Sequence, residues 1–175
     1  MLLGYELTSL VDKLVKKEIV HRQDIIWPVC NIQEDHVLVL QYIFYSRHVG
    51  YLPDVFYHYC CNLESTTRTS SIINFESRFK QVCQNTELIV DFLHKKKLDS
   101  KLKSEILYQK FHCKNHLFKV LNKNDFAKKW LQAYPEVNTK FMFATKIPII
   151  EKIRFLIIRI MIFIIIVKKH FLSGV

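Results

Sequence analysis

Apolar positions recur at helical spacing along much of this chain, and the places where that spacing changes divide it into segments. From Leu7 to Val20, Leu10, Val11, Leu14, Val15 and Ile19 alternate in turns with Asp12, Lys13, Lys16 and Lys17. This pattern predicts an amphipathic helix with Thr8 or Ser9 at its cap. A connector containing Trp27, Pro28 and Asn31 follows, and then Glu34 and Asp35 stand directly ahead of an almost wholly apolar run from His36 to Tyr45. Its length and the acidic pair at its front favour a buried helix over a buried strand. Gly50 to Cys60 changes period: Val55, Tyr57 and Tyr59 fall on one side, Phe56, His58 and Cys60 on the other. That alternation predicts a short strand, with Pro53 setting an edge or bend near its start.

A polar stretch, NLESTTRTSS, reads as a loop, and three helices are expected after it. The first carries the stripe Phe75, Phe79, Val82, Ile89 and Leu93. The second carries Leu102, Ile106, Cys113, Leu117 and Val120. The third runs from an Asn124 cap through Phe126, Ala127, Trp130, Leu131 and Tyr134 to a stop at Pro135.

The last segment is different in kind. Phe155 to Val167 is thirteen residues, all apolar except Arg159. A membrane-spanning helix needs about 20 such residues. Extended back to Pro148, the segment gathers Glu151, Lys152, Arg154 and Arg159 in one sector of a helical wheel, with a broad Ile/Leu/Phe face opposite. A helix lying in a membrane interface, anchored by Lys168 and Lys169, fits this pattern. So does a C-terminal helix docked on the protein's own core. A transmembrane span ranks third.

Composition narrows the chemistry. Three glycines and four prolines among 175 residues leave little turn punctuation, and no glycine-rich phosphate loop or dinucleotide fingerprint is present. Lysine and arginine number 26 against 16 acids, a net charge of +10 that attracts phosphates and anionic headgroups. The one compact basic run, Lys95-Lys96-Lys97, reads as a solvated helix end. Charge alone suggests nucleic acid, but no recognisable binding motif supports that partner. Five cysteines, an odd number without C-x-x-C, point to reduced, mostly buried thiols in a cytoplasmic protein rather than a disulfide framework or zinc site. The N-terminal MLLGYELTSL lacks the pattern of a secretory signal.

Four features occur in a particular order: the helix from Leu10 to Ile19; Asn31-Ile-Gln-Glu-Asp-His36 leading into an apolar helix; Tyr51-Leu-Pro-Asp-Val-Phe-Tyr-His-Tyr59; and Asn62-Leu-Glu-Ser-Thr-Thr67. This series resembles the acceptor-side part of bacterial family 2 glycosyltransferases over roughly Leu7 to Arg68, and only generically beyond. The resemblance implies a mainly α fold with a few short strands (α+β): the C-terminal half of a GT-A type enzyme followed by a helical tail. It divides the chain into residues 1–70 (acceptor side), 71–146 (helical extension) and 147–175 (amphipathic helix). It also implies an inverting transfer from a nucleotide-diphosphate sugar to a polysaccharide or lipid-linked acceptor in cell-surface glycan synthesis.

In that mechanism Asp35 is the general base at the acceptor hydroxyl, and Glu34 orients the acceptor or tunes the pair. Acidic residues at a helix start also stabilise it by about 0.3–1 kcal/mol, which is the structural alternative for both. His58 would lie near the diphosphate, though a packed histidine is the commoner outcome. Ser65, Thr66, Thr67 and Arg68 suit phosphate oxygens, and also suit an ordinary polar loop. Trp27 and Tyr51 suit stacking on a sugar ring, though a buried aromatic is the commoner outcome. The family's metal-binding D-x-D and its Rossmann-like donor half have no counterpart here, so Mg²⁺ or Mn²⁺ is expected only with that half, and no metal site in this chain. The expectation is therefore a truncated transferase, inactive alone unless a donor-half polypeptide completes it, cytoplasmic and peripheral at the inner membrane. The alternative is a non-catalytic basic helical protein that binds anionic membrane surfaces.

Overall fold

The computed structural model describes residues 8–58, 60, 72–123 and 125–173. Among these residues seven α-helices follow in order: α1 (Lys17–Val20), α2 (Glu34–Tyr45), α3 (Ile72–Lys95), α4 (Lys103–Asn115), α5 (Phe126–Gln132), α6 (Pro135–Lys140) and α7 (Ile149–Ser173). The mainly α expectation holds, but among the described residues there is no strand. Residues 50–58 are irregular and exposed. Alternation encodes two faces, but a strand also needs a neighbouring ladder to satisfy its backbone, and none is offered here.

The first predicted helix is also much shorter than its pattern. Only Lys17–Val20 is helical, and Leu10 to Lys16 form turns and irregular backbone. Their apolar side chains are still used: Leu10, Val15, Ile19 and Val20 pack on Ile25 and on Leu38 and Tyr42 of α2. Periodic apolar positions identified the packing residues but not the backbone, because four residues make one turn and tertiary contacts override so weak a local preference.

Two buried amides fasten the connector before α2. Gln41 accepts from the Ile26 N–H (2.7 Å) and donates to the carbonyls of Ile26 (2.8 Å) and Val37 (2.9 Å). Asn85 of α3 donates to the carbonyls of Cys30 (3.2 Å) and Ile32 (2.7 Å). Irregular backbone is thereby held without secondary structure, which is the accounting a buried loop requires.

α3 carries its predicted stripe and joins α2 through Val37, Leu40, Ile89, Phe92 and Leu93. It ends at the basic run: Leu98 N–H bonds Leu93 O (2.9 Å), Lys97 N–H bonds His94 O (2.8 Å), and Lys97 is left-handed at φ 56°. This is a Schellman stop built on lysine instead of glycine, and it confirms the helix-end reading of the run. α4 turns back along α3, and a short 3₁₀ turn (Phe118–Val120) leads into α5.

Pro135 does more than stop a helix. The expected third helix is α5, which ends at Gln132; Pro135 then occupies the first position of a further short helix, α6, where its missing N–H costs nothing. Asn124, the expected cap, lies outside the described residues. The largest core joins Phe111 of α4, Trp130 of α5, Val137 of α6, Phe141 and three residues of α7, namely Phe155, Ile158 and Ile162. Packing thus continues across both position 70, between α2 and α3, and position 147.

Candidate functional site

The acidic pair opens α2 as its pattern required. Its N-cap, Gln33, is left-handed (φ 62°) and supplies no side-chain cap, so free N–H groups of the first turn meet the charges of Glu34 and Asp35. Both carboxylates are half-buried. Asp35 Oδ2 accepts the Leu10 N–H at 3.2 Å, which ties the N-terminal segment to α2. The next residue, His36, is held below the ordinary histidine pKa by burial and the nearby His116, against the pull of Asp35. Gln33 Nε2 lies 3.0 Å from His116 Nε2, linking this corner to the end of α4.

Of the other expected site residues, Trp27, Tyr51 and His58 are described. Trp27 is exposed on the connector, and His58 and Tyr51 are exposed on irregular backbone. No hydrogen bond joins Asp35 to Trp27 or His58. Ser65, Thr66, Thr67 and Arg68 lie outside the described residues. Among the described residues no group of three or more His, Cys, Asp or Glu side chains is placed to hold a metal ion.

The most distinctive surface belongs to α7. Phe155, Ile158 and Ile162 are buried in the core, with Ile165 and Ile166 packed beside them. At about 100° per residue these five cover one side of the helix. Ile149, Ile150, Ile153, Leu156, Ile157, Ile160, Phe163 and Ile164 fall on the opposite side, and all are exposed. The sequence placed the charges of α7 opposite its broad apolar face, and the docked side is the charged one. Arg154 flanks the core contacts on one side and Lys152 and Arg159 on the other, while Glu151 falls within the docked side and is largely buried. The broad face is left uncovered. No helix among the described residues is long and apolar enough to cross a membrane.

Periodicity placed Cys113 on the inward stripe of α4 but singled out neither Lys114, His112 nor Cys83. Lys114 is fully buried, donates to Asn138 Oδ1 at 2.7 Å, and stands 4.0 Å over the Trp130 ring. Burial, reinforced by Arg159 and opposed by Glu136, brings its pKa down to about 7. His112, stacked edge-on to Tyr108 at 4.3 Å, is lowered to about 4 by burial and by Arg154 and His116. Cys83 of α3 and Cys113 of α4 meet with their sulfurs 3.4 Å apart. A sequence signal existed for Lys114, which is three residues from both Phe111 and Leu117 on the inward stripe. None existed for the meeting of the cysteines, which depends on how α3 and α4 align.

Comparison with known proteins returns no match among protein families, curated proteins or solved structures.

Proposed function

We propose that this protein docks on anionic membrane surfaces through the outward face of α7. The observation that carries this is the contiguous row of exposed Ile, Leu and Phe side chains opposite the docked side of the same helix. Soluble monomers rarely expose apolar patches beyond a few hundred Å² without a use for them. Lys152, Arg154, Arg159, Lys168 and Lys169 lie along the helix, and the chain carries +10 overall. Each basic side chain near an anionic leaflet contributes about 1 kcal/mol, and the apolar face adds burial in the headgroup–acyl boundary. Charge selects the lipid surface over a second copy of this equally basic chain.

The test is vesicle flotation of the full chain, because deleting α7 would remove Phe155, Ile158 and Ile162 from the core. Phosphatidylglycerol-containing vesicles should carry the protein up the gradient, and purely phosphatidylcholine vesicles should carry far less. Ile153→Ser/Ile157→Ser/Ile160→Ser should lose most of the bound fraction. Equal flotation by parent and variant, or a stable dimer that masks the face in solution, would refute the reading.

A second reading retains the sugar-transfer resemblance. What favours it is the half-exposed Glu34–Asp35 pair, reached from a connector that presents the exposed Trp27 ring. Under it Asp35 is the acceptor-side base and this chain needs a donor half. The check is transfer by a donor-half fusion, where Asp35→Asn retaining near-parental rates would remove the aspartate from that role.

A further inference from the structure

α3 and α4 form an antiparallel hairpin, and one pair of thiols faces across it. Cys83 lies in the middle of α3 and is half-buried; Cys113 lies in the last turn of α4 and is fully buried. Their Sγ atoms are 3.4 Å apart, within sulfur hydrogen-bond distance. A disulfide needs about 2.05 Å, so closure asks for roughly 1.4 Å of approach, within reach of side-chain rotation and a slight slide of two packed helices. The remaining described cysteines are placed otherwise: Cys30 Sγ donates to Gln84 Oε1 at 2.9 Å, and Cys60 is exposed.

We propose that Cys83 and Cys113 form a reversible peroxide-responsive site, with Cys83 the attacking sulfur and Cys113 the resolving one. Accessibility divides the roles, since Cys83 is the member of the pair that solvent and oxidant reach. Electrostatics agrees with that division. A hydrogen bond from Cys113 favours the Cys83 thiolate and lowers its pKa, while the same contact and burial push the Cys113 thiol up. The Tyr134 hydroxyl, donating to the Cys83 carbonyl at 3.4 Å, packs the α3 side of the pair against the segment before α6.

In the first step the Cys83 thiolate attacks one oxygen of a hydroperoxide. The O–O bond breaks, the other oxygen leaves with a proton as water or alcohol, and Cys83 becomes a sulfenic acid. In the second, the Cys113 sulfur attacks the Cys83 sulfur, the S–O bond breaks, and the hydroxyl leaves as water with the Cys113 proton. Two thiols and one peroxide give a disulfide, water and water or alcohol. A dithiol reductant reverses the change by exchange. The closed bond staples α3 to α4 and restricts the unfolded chain between positions 83 and 113, so the oxidised protein melts higher.

The experiment exposes the reduced full chain to hydrogen peroxide, then alkylates it under denaturing conditions for intact-mass and peptide analysis. The expected result is a product two hydrogens lighter, with two fewer alkylated cysteines, a linked Cys83–Cys113 peptide pair and a Tm raised by several degrees. Dithiothreitol should reverse all of these. Cys113→Ser should stop at a Cys83 sulfenic acid that dimedone traps. Cys83→Ser should leave Cys113 reduced. Linkage of Cys83 to Cys30 or Cys60, or over-oxidation of Cys83 while Cys113 stays free, overturns the proposal. The peptide map of the parent chain decides this even where a variant fails to fold.

Discussion

Lys114 shows how far a single side chain departs from what its type suggests. Its stem lies on the inward face of α4, its ammonium reaches Asn138 and the Trp130 ring, and no solvent touches it. Burying a charge costs several kcal/mol unless partners compensate, and here an amide oxygen and a π face offset only part of that cost. The amine therefore gives up its proton near pH 7, against 10.5 for an ordinary lysine. Between those values the unfolded chain binds more protons than the folded one, so stability rises with pH across that window, by at most about 1.4 kcal/mol per unit. Below pH 7 both states hold the proton and the contribution is flat. Urea midpoints at pH 7, 8 and 9 should therefore climb more steeply for the parent than for Lys114→Met. Parallel slopes would place the proton elsewhere.

Helices with one clean stripe were legible in the sequence, and helices with two were not fully so. α3 could be read because Phe79, Val82, Ile89 and Leu93 keep one face. α4 was harder: Glu105, Tyr108, Gln109, Phe111, His112, Cys113 and Lys114 are all buried, and a helix enclosed on most sides loses its periodic signal. In α7 the apolar excess was plain, but which of its sides meets the core was not, since that depends on where Phe111, Trp130 and Phe141 present their rings. A matched pair of truncations separates the two faces. Phe155→Ala removes a buried ring and should cost about 3–5 kcal/mol of unfolding free energy, as core phenylalanines do. Phe163→Ala, on the exposed side, should change stability by about 0.5 kcal/mol or less. Chemical denaturation of both variants gives the comparison, and a larger loss for Phe163→Ala would mean that α7 docks by the other face.

At the scale of the molecule, stability is unevenly distributed. α4 to α7 share one large core around Trp130 and Phe141, whereas the segment before α2 rests on a small cluster at Ile25, Leu38 and Tyr42. That segment has a single helical turn, α1, and is fastened largely through Gln41 and Asn85. The sequence showed the apolar residues of this region. It did not show that two buried amides would replace a helix, because such bonds join positions fifteen and more apart. Few buried contacts and few backbone bonds make a region that opens on its own, below the free energy of global unfolding. Gln41→Ala strips partners from the Ile26 N–H and carbonyl, each a loss of about 1–3 kcal/mol where the group stays buried, while the Val37 carbonyl keeps its helical partner. Native-state hydrogen exchange should then accelerate over residues 17–28 by one to two orders of magnitude, roughly the factor such a loss converts to. Amides of 155–162 should keep their parental rates, since their core does not touch Gln41. If acceleration is uniform along the chain, the N-terminal segment and the α4–α7 core form one cooperative unit, and Gln41 contributes to all of it.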